Sequence, residues 1–236
     1  MSGIAPHRLE HAVAAICPDI EARVASCRPE LNERRLWWEL SCCLLSSQVP
    51  FSLAVAAADA IDRHLLLLDE AAETTVLMPT LADILSQPLS VNSRHRFYRF
   101  PTVRANHLAA TRVAVTRAAG SLGALLVALG GATEVRAWFV GNAPGIGPKQ
   151  ASMFLRNAGI SYDLAILDRH VLNYMAALDL YRDTKRPISG LAQYRHHEAT
   201  LRSHADDMGF AVGLLDWAIW IVMRAARRTH TELVVV

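Results

Sequence analysis

The chain has 236 residues, of which 52% are apolar, and it carries a formal net charge of +2. This length and apolar content can bury a substantial core without disulfide bonds or metal ions, which excludes a small stapled fold and a disordered chain. A charge so near zero neither supports nor excludes a nucleic-acid ligand. Any DNA-facing surface must therefore be a local patch.

The first part of the chain indicates neither a secretory signal nor a metal site. Charged and histidine side chains from His7 to His11 precede any apolar run, and the longest apolar runs are too short to cross a bilayer. The cysteines show no zinc-site spacing and are predicted to be free, buried thiols; they are Cys17, Cys27, Cys42 and Cys43. We therefore expect a cytoplasmic protein with no metal and no membrane span.

Helical periodicity dominates the chain. Apolar residues recur at helical spacing from Leu36 to Leu44, and an alanine-rich segment from Phe51 to Leu68 continues the pattern after Pro50. Strand-like alternation is scarce, and proline and glycine residues divide the sequence into roughly ten helical pieces. The sequence predicts an all-α protein, a single domain over residues 1–236, with two helical lobes and a cleft between them.

Residues 133–159 have the pattern of two short helices joined by a glycine turn. Thr133 is the predicted N-cap of the first helix, which should end near Gly141, and Pro148 should open a second helix that closes at Gly159. Gly145 and Gly147 leave the backbone N–H groups of the turn open to approach. With the positive end of the following helix, they form a predicted seat for one phosphate.

Lys149 is a candidate catalytic amine. The chain has only two lysines among its 24 basic residues, and Lys149 lies two residues past this glycine turn. Arginine is effectively never deprotonated, whereas a desolvated lysine can lose its proton and act as a nucleophile. The alternative is that Lys149 is an ordinary surface cation.

Asp168 follows the apolar segment from Tyr162 to Leu167 and is predicted to cap the next helix. Backbone N–H groups and the helix dipole at such a position favour the ionised carboxylate. Asp168 lies nineteen residues after Lys149, so an amine and a fixed carboxylate can meet across one turn of chain.

The segments Gly145-Ile-Gly-Pro-Lys149-Gln-Ala and Ala165-Ile-Leu-Asp168-Arg-His resemble the helix-hairpin-helix DNA glycosylases, and most closely the small archaeal-type 8-oxoguanine DNA glycosylase/lyases. The resemblance extends to Trp37–Gln48, to the stretch from Arg96 to Ala105, and to Leu215–Trp220. It begins near residue 33, so residues 1–32 are interpreted as an N-terminal extension.

The resemblance implies base excision from double-stranded DNA that contains a damaged or modified purine. In this family the lysine matching Lys149 attacks the sugar C1′ of a flipped-out nucleotide, and the aspartate matching Asp168 activates the amine and stabilises positive charge on the sugar. A Schiff base then permits β-elimination of the 3′ phosphate. The implied protein is a bifunctional glycosylase/AP lyase that needs no cofactor. We also expect it to be a monomer that associates with the nucleoid.

Each of the other candidate site residues has two interpretations, one functional and one structural. Arg169 and His170 bind DNA phosphates, or they are a surface charge and a neutral core histidine respectively. Gln48 fills the space left in the duplex, or it is a plain loop residue. Trp220 lines the base pocket or packs in the core. The side chains of His196, His197 and His204 are expected to be exposed rather than to bind metal.

The C-terminal region departs from the family pattern. Archaeal-type chains end in a lysine soon after the tryptophan that matches Trp220, whereas this chain has Arg224, Arg227 and Arg228 there and continues to Val236. Specificity for 8-oxoguanine is thereby placed in question. The alternative function is a catalytically idle or redirected glycosylase fold that binds DNA, a modified base or a protein partner.

Overall fold

The computed structural model describes residues 5–27, 31–69, 74–182 and 187–233, except for the side chains of residues 74 and 227–233. The chain divides into two compact units. We call residues 29–158 the hairpin unit and residues 1–28 with 159–236 the terminal unit. The expected single glycosylase-like domain over 1–236 stays a prediction.

The described residues form eleven helices and one small two-stranded sheet. The hairpin unit contains α2 (Glu33–Leu45), α3 (Phe51–Asp62), α4 (Thr74–Ser86), β1 (Leu89–Val91), β2 (Arg94–Arg96), α5 (Pro101–Ala119), α6 (Leu122–Leu129), α7 (Ala132–Asn142) and α8 (Pro148–Asn157). The terminal unit contains α1 (Pro6–Ser26), α9 (Arg169–Ala177), α10 (Gly190–Met208) and α11 (Val212–Leu233).

Local sequence explains where four helices of the hairpin unit begin. The Asn32 side chain accepts a hydrogen bond from Arg35 N at the start of α2, and Ser121 does the same for Ala124 N at the start of α6. Pro101 and Pro148 occupy the first turns of α5 and α8, where a missing N–H costs nothing. The all-α prediction is confirmed by these elements.

Two sequence predictions about helix limits were wrong, and one pair of strands was missed. The N-cap predicted at Thr133 lies two residues earlier, at Gly131, and α7 begins at Ala132. The helix predicted over Phe51–Leu68 ends at Asp62 and is followed by turns. The two differences have separate causes. A glycine backbone can also start a helix, and an alanine-rich pattern carries no stop signal. The strand pair β1–β2 was not predicted at all.

The core of the terminal unit includes the predicted N-terminal extension. On α1, the side chains of Leu9, Val13, Cys17 and Ile20 are buried at helical spacing. They belong to the same apolar cluster as Tyr174 and Met175 of α9 and Leu215 and Met223 of α11. The helix is thus a structural part of this unit.

In the part of the chain that the structure describes, no single helix is both long enough and apolar enough to cross a bilayer. The bent pairs α5–α6 and α10–α11 have the required length and composition only when the two helices of a pair are taken together.

Candidate functional site

The turn between α7 and α8 is built by a proline and a glycine. Ile146 N donates to Ala143 O at 3.2 Å, Pro144 is the second residue of this four-residue turn, and Gly145, the third, has φ of +79°. This is the residue pattern of a type II turn. Gly147 then caps α8, so consecutive backbone N–H groups at the start of α8 lie at the positive end of a helix dipole.

The two hairpin helices are held by a buried interface. Phe139 of α7 and Phe154 of α8 make an edge-to-face contact at 5.5 Å between ring centroids. Beside them, the buried Arg136 Nη1 donates to Ser152 Oγ at 3.2 Å. The predicted inward face of the second helix is confirmed, because Ala151, Phe154, Leu155 and Ala158 are all buried. The turn is therefore presented by a rigid scaffold.

His107 of α5 packs directly on this turn. A Cβ atom added to Gly145 would lie 2.2 Å from His107 Nδ1. Arg104 Nη1 lies 3.3 Å from the same ring nitrogen, which must accept if it bonds to a guanidinium. Burial, and secondly the charge of Arg104, lower the pKa of His107. Both effects favour the neutral ring. Sequence analysis missed this contact because α5 is distant in the chain.

Substitution of Gly145 by alanine should destabilise the turn for two separate reasons. The new Cβ collides with the His107 ring, and a positive φ costs a non-glycine residue roughly 1–2 kcal/mol. We expect a lower melting temperature and roughly tenfold weaker duplex binding, measured by thermal unfolding and by titration of labelled DNA.

Gly141→Ala is the matched control, because a Cβ on Gly141 of α7 meets open space. It should leave DNA affinity unchanged and slightly stabilise the helix. Equal DNA affinity of the Gly145→Ala and Gly141→Ala proteins would contradict a role of the turn in binding.

Lys149 lies in the first turn of α8 with a half-buried side chain. Burial, with Cys42 and Glu39, raises the pKa of the Cys43 thiol of α2, and the positive charges of Arg156 and Lys149 oppose this rise. The Lys149 ammonium group therefore lies within electrostatic range of the second half of α2. The thiol itself stays protonated and acts as a small apolar side chain.

Gln48 lies in the loop that follows α2, exposed and with φ of +65°. Tyr98 OH donates to Leu45 O at 2.7 Å, and Arg104 Nη2 donates to Ser47 O at 3.5 Å, so the last residue of α2 and the residue before Gln48 are both held by side chains from outside the loop. A positive φ is uncommon for glutamine and persists where the surroundings impose it. Because Arg104 also contacts His107, this loop and the glycine turn share one support.

Asp168 caps α9, as the sequence predicts. Its Oδ1 atom accepts from His170 N at 2.7 Å and from Val171 N at 2.9 Å. Both capping bonds are accepted by the same oxygen. The second carboxylate oxygen, Oδ2, takes no part in the cap, so one half-buried group can hold the helix and also face a ligand.

The two residues that follow Asp168 differ in their exposure to solvent. Arg169 is exposed, whereas His170 is half-buried and makes an edge-to-face contact with Trp220 at 6.4 Å. Trp220 is also half-buried, and the Arg224 guanidinium lies 4.8 Å from its ring centroid. The remaining arginine side chains of the C-terminal departure, Arg227 and Arg228, lie outside the described residues. Cation–π contact with Arg224 is compatible with either predicted role of Trp220.

Two predictions about polar side chains were partly wrong. Cys27 is exposed, whereas the other three cysteines are buried. His204 was expected to be exposed, but its Nε2 atom lies 3.0 Å from Tyr174 OH, and burial lowers the pKa of its ring. His197 is half-buried against Tyr181. A helix rich in charge still has one face on the core, which composition alone does not reveal. Within the described ranges no three metal-ligating side chains cluster.

A segment of high positive charge was missed by the sequence reasoning. Residues 84–162 contain eight arginines and one lysine but only one acid, Glu134. Arg94 and Arg96 of β2 pair opposite the buried Val91 and Leu89 of β1, yet both arginines are exposed. Since alternate strand residues share a face, the two guanidinium groups project from the same side of the sheet. Arg104, Arg112 and Arg136 of this segment are buried, so we restrict the name basic patch to the exposed Arg94 and Arg96. The net charge of the whole chain gives no sign of this patch.

The helical fold, with a glycine turn between α7 and α8 and an aspartate capping α9, is that of the helix-hairpin-helix DNA glycosylases. Residues 20–210 match the family model described as Ogg-HhH, 8-oxoguanine DNA glycosylase. The chain belongs to this family, which confirms the resemblance found in the sequence.

Several curated relatives share most of their length with this chain. The 8-oxoguanine DNA glycosylase/AP lyase of Sulfurisphaera tokodaii is 30% identical over 191 residues, which cover 80% of this chain and 82% of that protein. The protein of the same name from Thermoplasma acidophilum is 31% identical over 185 residues, 78% of each chain.

Solved structures agree with this assignment. The 8-oxoguanine DNA glycosylase of Thermotoga maritima matches with a TM-score of 0.67 and 28% identity, covering 91% of this chain and 93% of its own. The Methanocaldococcus jannaschii 8-oxoguanine glycosylase/lyase, solved with a 15mer DNA containing 8-oxoguanine, matches with a TM-score of 0.60 over 89% of this chain and 88% of its own. At 21% identity this second likeness shows the fold alone.

Proposed function

We propose that the protein is a bifunctional DNA glycosylase/AP lyase that removes 8-oxoguanine or a related modified purine from double-stranded DNA in the cytoplasmic nucleoid. The observation that carries this proposal is the joint presence of the glycine turn, Lys149 in the first turn of α8, and Asp168 at the cap of α9 in a chain of the 8-oxoguanine DNA glycosylase family. Full-length relatives named glycosylase/AP lyase support both activities.

Lys149 is the proposed nucleophile. Its Nζ atom, once deprotonated, attacks C1′ of the flipped-out nucleotide as the bond from C1′ to the base breaks, and the base leaves with the bonding electrons and is protonated. The sugar ring then opens to a Schiff base between Nζ and C1′. Loss of a proton from C2′ expels the 3′ phosphate, which nicks the strand.

Asp168 is the proposed electrostatic partner of this step. Its Oδ1 atom is used by the cap, and we assign Oδ2 to the positive charge that develops on the deoxyribose. A carboxylate already fixed by two backbone N–H groups needs no reorganisation during the reaction, which is the condition for efficient charge stabilisation.

DNA backbone contacts are assigned to the hairpin unit. The N–H groups of the turn at Gly145 and Gly147 suit one phosphate, and the exposed Arg94 and Arg96 of the basic patch suit further phosphates. Arg169 and His170 are proposed as contacts on the terminal unit. Gln48 and Trp220 remain proposed contacts of the duplex gap and of the flipped base respectively.

A redirected specificity is the second candidate. Arg224 lies over Trp220, in the region where archaeal-type relatives carry their terminal lysine, so the group available to a base differs from the family pattern. The discriminating experiment is a panel of duplexes containing 8-oxoguanine, other modified purines or an abasic site, each incubated with and without borohydride. A covalent adduct on the abasic duplex alone would place the divergence in base recognition, and no adduct on any duplex would refute the enzyme.

Removal of the strand arginines should lower the salt dependence of binding. In Arg94→Gln/Arg96→Gln, two phosphate contacts are lost, so the slope of log affinity against log salt should become shallower by about 1.8. The measurement is duplex affinity at four or five salt concentrations, with the same oligonucleotide throughout.

The matched control for this charge change is Arg34→Gln/Arg63→Gln. Arg34 forms a double hydrogen bond with Asp62, and Arg63 is exposed outside the basic patch. This control should keep the wild-type slope. If the two double variants reduce the slope equally, the proposal that Arg94 and Arg96 of β2 contact DNA phosphates is wrong.

A further inference from the structure

The segment Leu164–Leu167, which leads to Asp168, is buried but belongs to no helix or strand. Buried backbone N–H and C=O groups must find hydrogen-bond partners, and here no neighbouring strand supplies them. Side chains of α10 and α11 take that role.

One face of α10 follows the segment. Tyr194 OH donates to Ala165 O at 2.8 Å and accepts from Leu167 N at 2.9 Å. One turn later along α10, Glu198 Oε1 accepts from Ala165 N at 2.8 Å. After a further turn, Arg202 donates to Asp163 O. The three side chains are spaced four residues apart on the helix and run antiparallel to the segment.

This spacing has a simple geometric basis. Four residues of an α-helix rise about 6 Å, and two residues of an extended chain advance about 6.6 Å. Side chains at i, i+4 and i+8 of a helix can therefore reach every second residue of an extended segment. The side chains on this face of α10 thus provide the hydrogen-bond partners that a neighbouring strand would provide in a sheet.

The opposite side of the segment is held by α11. Ile166 N donates to the buried Asp216 Oδ2 at 2.5 Å, and Gly213 N donates to Tyr162 O at 2.9 Å. A Cβ on Gly213 would lie 2.6 Å from Tyr162 O, so glycine is required for this approach. Asp168 N completes the set by donating to Ile166 O at 2.7 Å.

We infer that Tyr194, Glu198 and Asp216 are positioning residues for Asp168. They fix the extended segment on both sides, and thereby fix the place and direction of the carboxylate at its end. The inference rests on the proposed function insofar as Asp168 acts on the sugar. Its structural part, that these side chains set the Asp168 cap, holds for any function of that carboxylate.

Tyr194→Phe is the sharpest test, because it keeps the ring and removes the hydroxyl that bonds to Ala165 O and Leu167 N. Amide hydrogen exchange should become faster from Ala165 through Val171, including the two N–H groups that Asp168 caps. Single-turnover excision should fall about tenfold while affinity for an uncleavable abasic-analogue duplex is kept. In combination with Asp168→Asn, Tyr194→Phe should cause no further loss, because it acts through the same carboxylate.

Two controls separate positioning from general destabilisation. Val13→Ala weakens the core of the same unit through α1, whereas the hydrogen bonds to the segment described above come from α10 and α11. It should change neither excision, assayed well below the melting temperature, nor exchange at residues 165–171 relative to the rest of the unit. Glu198→Gln keeps an acceptor oxygen and should retain the wild-type rate, whereas Glu198→Ala should not.

Failure of the positioning inference and failure of the proposed function give different experimental results. Unchanged exchange at His170 and Val171 in Tyr194→Phe, or a loss fully additive with Asp168→Asn, would overturn the inference. A wild type that excises no base would refute the proposed function, and the exchange measurements would then decide the positioning role by themselves.

Discussion

Replacing Lys149 by glutamine should abolish both borohydride trapping and base excision, with a loss of roughly 10³-fold or more in single-turnover rate. The reason is chemical: no other lysine lies in the described hairpin unit, and a neutral amide can neither attack C1′ nor form a Schiff base. The measurement is denaturing electrophoresis of the reaction on a lesion-containing duplex, with and without reductant. DNA binding should be kept within a few-fold.

Lys149→Arg is the matched control for this substitution. Arginine keeps the positive charge near α2 and the DNA but is effectively never deprotonated. If Lys149 is the nucleophile, the arginine variant should be as inactive as the glutamine variant while it binds DNA like wild type. Activity in Lys149→Arg would show that the charge of this residue, rather than its amine, is what matters.

The Asp168→Asn variant should fold normally but excise the base on the order of 10²-fold more slowly. The amide oxygen of asparagine can still accept from His170 N and Val171 N, so the cap of α9 is kept. It cannot offset positive charge on the sugar. Single-turnover rates and duplex affinity, measured on the same preparation, should separate the lost rate from the kept binding.

The companion variant Asp168→Ala distinguishes the two roles of the carboxylate. It removes the cap as well as the charge, which should cost about 1 kcal/mol in the free energy of unfolding beyond any change in Asp168→Asn. Thermal unfolding of both proteins is the measurement. An Asp168→Asn protein as destabilised as Asp168→Ala, with wild-type excision at low temperature, would make Asp168 a purely structural residue.

The helices were predictable where local chemistry sets them. The starts of α8 and α9 follow from Pro148 and Asp168, whose preferences act within one turn of chain. The start of α7 was misplaced at Thr133 because the cap is a glycine, which carries no side-chain signal. The β1–β2 pair was missed because β2 has three exposed polar residues and so lacks the alternation that indicates a strand.

Some features of the candidate site could likewise be predicted from the sequence, and others could not. Lysine scarcity, the glycine turn and the spacing to Asp168 could all be read along the chain, and the family assignment followed from them. The packing of His107 on Gly145 and the support of the Gln48 loop by Tyr98 and Arg104 could not. These contacts join residues about forty to sixty positions apart, and a single sequence does not encode such distances in any local pattern.

By itself, the sequence determined which groups are available: one amine at the start of a helix, one carboxylate at a cap, and an arginine-rich stretch nearly free of acids. Caps, turns and charge runs act within a few residues, so they are legible without a fold. Only the tertiary structure decided how the segment that leads to Asp168 is held. The hydrogen bonds that Tyr194, Glu198 and Asp216 accept from backbone N–H groups of the Leu164–Leu167 segment depend on α10 and α11 packing beside it. That packing is set by the whole core of the terminal unit.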